Sequence, residues 1–170
     1  MLVYDIVIVG KNISALTAAI YSGMARKSTL HITCPSEEMN TSGVNRYLGY
    51  KEGSYATFQA TTERQLEKFK VSSLEEDLQE VQVNGDRAIV KTETQAICAK
   101  TVIISTKQHL AVTETGAGED VVFPCGEAYD GCIEMVSLAG TGAMAAINAR
   151  MVLGKKKVMA GDENPPNSSY

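Results

Sequence analysis

Gly10-Lys11-Asn12-Ile13-Ser14-Ala15 is the stretch whose residue types and spacing could do chemistry. It joins the apolar run Leu2–Val9 to an alanine-rich segment, so a buried strand, a tight turn and a helix follow in succession. That succession can set a dinucleotide pyrophosphate on a helix N-terminus, where backbone N–H groups and the helix dipole both favour negative charge. The turn asks for G-x-G-x-x-G/A, and here the three places hold Gly10, Asn12 and Ala15. Gly10 keeps the tight turn, and Ala15 still permits helix–strand packing. Asn12 puts a side chain where phosphate oxygens would sit, yet asparagine tolerates the left-handed conformation and its amide can donate to phosphate. A phosphate cradle and a plain strand-to-helix turn both remain open.

Other reactive groups are sparse. Cys34, Cys98, Cys125 and Cys132 form no C-x-x-C pair, and His31 and His109 are the only histidines, which speaks against a zinc site or a local redox dithiol. Cys125, at the end of an apolar run, reads as a small buried hydrophobe, and Cys34 as structural. Cys132 is the one candidate for a reactive, catalytic thiol. A net charge of −4 and a pI near 5.2 argue against nucleic acid or an anionic membrane as the main partner. Lys155-Lys156-Lys157 reads as the solvated end of a helix. No apolar stretch approaches the ~18 residues that span a bilayer, and Asp5 interrupts the N-terminal run, so a cytoplasmic location is expected.

The elements that must position the turn follow from pattern. Leu2–Val9 reads as a central parallel strand, residues 14–25 as a helix, and residues 28–34 as a second strand that ends at Pro35. Residues 55–70 carry Tyr55, Phe58, Leu66 and Phe69 near helical spacing. From Leu78 the apolar residues alternate, and Asn84-Gly85 between two alternating runs signals a hairpin that leads into Thr101–Ser105. Residues 107–120 read as a polar linker, residues 121–123 as a short strand, and residues 137–153 as a helix of small residues. The fold class is α/β: a Rossmann-like three-layer domain with a parallel sheet and a small antiparallel meander. One domain over residues 1–158 is expected, its halves 1–107 and 120–158 joined by the linker, with residues 159–170 a disordered tail.

Three motifs resemble a known family. Tyr4-Asp5 to Tyr21, with Asp5, Gly10, Ala18, Ala19 and Tyr21 in register, resembles the opening Y-D-V-I-I-V-G-x-G-P-A-G-x-x-A-A-x-Y motif of the low-molecular-weight thioredoxin reductases. Ile103-Ile104-Ser105-Thr106 resembles their I-I-A-T-G strand. Phe123-Pro124-Cys125-Gly126-Glu127 and Met135–Ala146 resemble their closing F-A-x-G-D and A-G-x-G-x-x-A-A segments. The resemblance implies an FAD domain without the inserted nicotinamide domain and its C-x-x-C pair. Thioredoxin reduction by the family mechanism is therefore not expected, and a homodimer is.

The same resemblance implies cofactor contacts from Gly10, Asn12, Ile13, Ser14, Thr33, Glu38, Arg46, Leu78, Thr106, Lys107, Gly126, Glu127, Glu134 and Met135. Several depart from the family. Arg46 stands for the flavin-contacting asparagine, Lys107 for a glycine, Glu127 for the ribityl-binding aspartate, and Glu134 for a neutral amide beside the flavin edge. Arg46 and Lys107 could contact phosphate or pair with Glu127 or Glu134. Met135 can still offer its backbone N–H, and Gly140 and Gly142 permit close approach of the last helix. Two functions follow, the first the expectation and the second its alternative. One is a single-domain flavoprotein that binds FAD non-covalently and exchanges electrons with an external donor or partner protein. The other is a cofactor-free scaffold with an interaction or regulatory role.

Overall fold

The computed structural model describes residues 2–38, 43–114 and 120–159. Its centre is β1 (Val3–Val9), where Ile6 to Val9 are completely buried. Burial on both faces explains why the run is apolar without alternation. On one side β1 pairs in parallel with β2 (Thr29–Thr33), and on the other with β6 (Ala96–Ile104). Val9 is in register with both Ile32 and Ile104, so three strands end together beneath Gly10.

The remaining strands extend this frame. β3 (Val71–Glu75) adds in parallel to β2. β4 (Leu78–Asn84) and β5 (Arg87–Thr92) form the hairpin expected at Asn84-Gly85, and β5 runs antiparallel to β6. The order is β3-β2-β1-β6-β5-β4, and β7 (Val122–Pro124) pairs in parallel with the last residues of β6. This is the expected α/β architecture, a mixed parallel and antiparallel sheet with helices.

Side chains of β1 alternate between two cores, as the strand period of two requires. Val7 and Val9 pack with Val81, Val90, Val102 and Ile104. Ile6 and Ile8 pack with Ala15, Ala18 and Ala19 of α1 (Ile13–Met24) and with Ala145, Ala146 and Ala149 of α4 (Met135–Met159). Burying each isoleucine contributes roughly 1.5–3 kcal/mol. The alanines let α1 and α4 approach closely, nearest at Gly142, where an added Cβ would lie 2.1 Å from the Ser14 carbonyl oxygen.

Three expectations need correcting, and one strand was not foreseen. The last helix begins at Met135 and runs to Met159, longer at both ends than residues 137–153, and it carries the three lysines in its final turns. By length and composition Met135–Lys157 could cross a membrane, so an apolar stretch of that size does exist; here it lies along α1 and β6. Residues 107–120 are not all linker, because Thr106 Oγ1 accepts from His109 N (3.2 Å) and caps α3 (Lys107–Ala111). β3 carried no alternating signal: Ser72, Ser73 and Glu75 are exposed, and pairing with β2 is what makes it a strand. The expected tail falls largely outside the described residues.

Candidate functional site

The strand ends converge on the glycine turn. Gly10 has φ +126°, and a Cβ there would lie 1.8 Å from Ser105 Oγ, so only glycine fits. Beneath it His31 Nε2 lies 2.7 Å from the Gly10 carbonyl oxygen. A carbonyl only accepts, so the neutral ring carries its proton on Nε2, and burial holds His31 below the usual histidine range. The turn is therefore fixed from below before any ligand is considered.

Asn12 does not take the left-handed conformation that its residue type allows. Its φ of −73° and ψ of 173° are extended, and it is the N-cap of α1. Its Oδ1 accepts from Ser14 N (3.1 Å), from Ala15 N (3.2 Å) and from the Ser14 hydroxyl. Its Nδ2 donates to the Ser105 carbonyl (3.2 Å), so the amide that could have met a phosphate is already engaged. Two helix N-terminal donors that a phosphate would use are satisfied by the chain itself.

A third donor is taken by a residue that the sequence reading passed over. Lys11 N donates to Glu37 Oε2 (3.0 Å). Glu37 is 5 % exposed, and its other oxygen, Oε1, has no partner among the described residues. His109, 3 % exposed, places Nδ1 4.0 Å from Oε2, and that nitrogen is also unpartnered. Burial raises Glu37 to about 7 and lowers His109, so both are driven toward their neutral forms. Burial, with the nearby Glu37 second, also pushes the Tyr55 phenol up to about 12. Glu38, the expected contact, is exposed; the one-residue difference arises because the chain turns back after Pro35.

The opposite end of the path is open. A cavity of about 710 Å³ lies between the loop around Arg46 and the start of α4, lined by Val44, Arg46, Gly53, Ile133, Glu134 and Met135. Tyr47 and Tyr50 pack tilted and edge-on against Phe58 of α2 (Tyr55–Leu66) at ring-centroid distances of 4.8 and 5.1 Å and hold that loop. Arg46 bonds Glu134 Oε1 at 3.0 Å across the mouth, one of the two pairings considered. Lys107 pairs with Asp130 rather than with Glu127 or Glu134. Glu127, in the short 3₁₀ turn Gly126–Ala128, is raised by burial, and Gly126 N donates to Thr141 Oγ1 (2.7 Å).

The other candidates serve packing. Ile13 is buried with Val44, Tyr55 and Phe58, and Cys132 and Met135 pack against that cluster. Thr33 Oγ1 donates weakly to Leu74 O (3.4 Å), and Leu78 packs against the meander core. Burial pushes the Cys125 thiol up to about 12 and Cys34 to about 11, so neither is a thiolate near neutrality.

FAD, the group this fold implies, can be tested against these residues. A ligand cleft is lined by groups that solvent reaches before the ligand arrives. Here Asn12, Ser14, Glu37, Ser105, Thr106 and His109 are all buried by the protein itself. A pyrophosphate would also meet two acids, Glu37 and Glu127, which burial already raises and which offer its negative charge no counter-ion. At the turn the residues do not fit FAD as they stand. At the Arg46–Met135 end the cavity has the size of a small-molecule site.

No protein-family model and no curated protein matches the chain. Solved structures do. Thioredoxin reductase from Streptococcus pyogenes is 32 % identical over 61 % of this chain and 35 % of that one, with a TM-score of 0.57. The Lactococcus lactis thioredoxin reductase is 25 % identical with the same coverage and a TM-score of 0.55. A ferredoxin-flavin thioredoxin reductase from Clostridium acetobutylicum shares only 12 % identity but matches 93 % of this chain with a TM-score of 0.78, which speaks for the fold alone. The chain thus spans about a third of the length of the first two. By strand order, helix placement and these likenesses, the chain has a Rossmann-type α/β fold similar to that of the thioredoxin reductases.

Proposed function

We propose that the chain works without a resident dinucleotide, as a thioredoxin reductase-like scaffold with an interaction or regulatory role. The observation that carries this reading is the Glu37 side chain, buried against the glycine turn and accepting from the Lys11 amide. The Asn12 cap adds to it by consuming the next two donors. Large exposed apolar side chains, among them Leu48, Val136 and Met144, supply the kind of surface that protein partners use. A homodimer and a cytoplasmic location are carried with the same reading.

The test is the protein as purified. No flavin absorbance is expected, and no rise in melting temperature when FAD is added in large excess, because a ligand that binds only the native state must stabilise it by mass action. A yellow protein, or a clear thermal shift with FAD, overturns the reading.

One observation favours the other function, a non-covalent FAD protein exchanging electrons with an external donor or partner. The cavity of about 710 Å³ lies at the start of α4, where the resemblance puts the flavin ring. Even then, no C-x-x-C pair occurs in these 170 residues to pass electrons to thioredoxin.

A further inference from the structure

Helices α1 and α4 lie side by side on one face of the sheet, and α4 divides sharply between two sides. Leu138, Ala145, Ala149 and Leu153 are buried toward the core. On the opposite side, at helical spacing, come Val136, Gly140, Met144 and Met151, with the three large side chains each more than half exposed and Ile147 half-buried between them. At 1.5 Å per residue this stripe is roughly 22 Å long. Tyr21 and Met24 of α1 and the loop residue Leu48 are exposed beside it, and Tyr21, Leu48, Val136 and Gly140 line one groove. Gly140 is out of place in a helix by propensity, where glycine costs about 1 kcal/mol against alanine. A Cβ added there would meet nothing within 4 Å, so the chain's own packing does not ask for glycine. A second helix crossing α4 at that point would.

The charges on the same two helices are one-sided. Residues 13–27 and 135–159 hold Arg26, Lys27, Arg150, Lys155, Lys156 and Lys157 but no Asp or Glu, although the whole chain has 20 acids against 16 Lys and Arg. Cations near helix C-termini suit the macrodipole, but that does not empty both helices of acids. Lys27 is held below the usual lysine range by burial first and then by Lys157, Lys100 and Arg150, against the pull of Asp5. Asp5 is itself bonded to Lys100 at 2.8 Å. The corner where α1 and α4 end is therefore short of counter-charge.

We propose that the α1–α4 layer docks an acidic amphipathic helix of a partner protein, whose apolar side chains lie along Val136, Gly140, Met144 and Met151 and whose carboxylates reach Lys27, Arg150 and Lys155. Charge selects this occupant. A second copy of the chain would present the same acid-free helices and supply these cations with no partner. The exposed Met24, Met144 and Met151 are flexible, which lets the surface mould itself to an incoming helix.

The inference names a partner for the interaction role proposed above and rests on that role, not on the state of the FAD site. The full chain is titrated into two labelled synthetic helices of about five turns, and anisotropy is read. Both carry leucine at the same i, i+3, i+4 and i+7 positions, with glutamate on the other faces of one and lysine on those of the other. The glutamate helix is expected to bind at least about tenfold tighter, and added salt to weaken it. Met144→Ser with Met151→Ser keeps the charge and should cost about tenfold or more. Arg150→Gln with Lys155→Gln keeps the apolar stripe and should remove most of the preference for glutamate. All four side chains are exposed, and circular dichroism checks each fold. Binding of neither helix, equal binding of both, or unchanged binding by both variants overturns the proposal. So does a dimer in sedimentation that the serine variant dissociates, because a second copy then covers the stripe. Tighter binding to vesicles of phosphatidylcholine and phosphatidylserine overturns it too, because a bilayer is then the partner. Failure with a colourless protein leaves the cofactor-free reading intact, whereas a yellow protein that binds the glutamate helix overturns that reading alone.

Discussion

The two ends of the presumptive cofactor path have opposite characters. At the glycine turn the Lys11, Ser14 and Ala15 amides are taken by the chain, and Asn12, Ser14, Ser105 and Glu37 are buried. At the Arg46–Met135 end Arg46, Ile133 and Glu134 are exposed, the ion pair across the mouth is wet, and a cavity of about 710 Å³ remains. The difference follows from what each end is built from. The turn is made where three parallel strands stop in register, so a side chain that reaches it is locked among rigid neighbours. The cavity is walled by a loop and the first turn of a helix, which can be ion-paired without being filled. Keeping a fold keeps the strand ends together; it does not keep the space above them empty.

Substitutions should separate the two ends in graded steps. Gly10→Ala carries the largest expected effect, because it adds a Cβ 1.8 Å from Ser105 Oγ at a φ of +126°. A loss of about 3 kcal/mol or more in urea unfolding is expected. A loss below ~1 kcal/mol would show that the turn is looser than its burial implies.

Next comes pH. Glu37, raised to about 7, keeps in the native state a proton that the unfolded chain releases near 4.5. Stability tied to it is full below pH 4.5, falls as pH rises through 7, and is flat above, a change of up to about 3 kcal/mol. His31 and His109, both lowered, act in the opposite sense as pH rises through their usual range. Lys11, Glu127 and Tyr55 also face this carboxylate and are common to both proteins. Melting curves of Glu37→Gln against wild type from pH 5 to 8 isolate the carboxylate, and the variant should gain on the wild type as pH rises. Parallel curves would mean that Glu37 is not held neutral.

Asn12→Ala should cost about 1–2 kcal/mol, through the lost helix cap and the orphaned Ser105 carbonyl. Chemical denaturation measures it, and a neutral result would dissolve the claim that Asn12 completes the closed end. The smallest effect belongs to the open end. Arg46→Ala removes an exposed pair and should change stability by less than ~1 kcal/mol. A larger loss would mean that the two ends are more alike than their exposure indicates.

Much of the frame was legible because its signals are local. The apolar run Val3–Val9, the Asn84-Gly85 hairpin and the small-residue helix at Met135–Met159 each declare themselves within a few residues. β3 did not, since its Ser72, Ser73 and Glu75 have strand character only beside β2. α3 was hidden in a polar segment whose helical start depends on the Thr106 cap. Of the site, Gly10 could be read from position; the capping role of Asn12 could not, Arg46 with Glu134 was one of several pairings left open, and the Lys107 partner was missed.

Glu37 marks the boundary between the two kinds of information. Glu37 and Glu38 are adjacent residues of one type, with no local difference to tell the reader which one matters. The sequence by itself determined that a parallel strand would end in Gly10 and pass into a helix, because apolar runs and glycine turns act over a few residues. Only the tertiary structure decided that the Pro35–Glu37 strap folds back onto that turn. Which of two neighbouring carboxylates loses its water depends on where β2, α3 and the turn come to rest against one another, and the cost of that burial is invisible until they do.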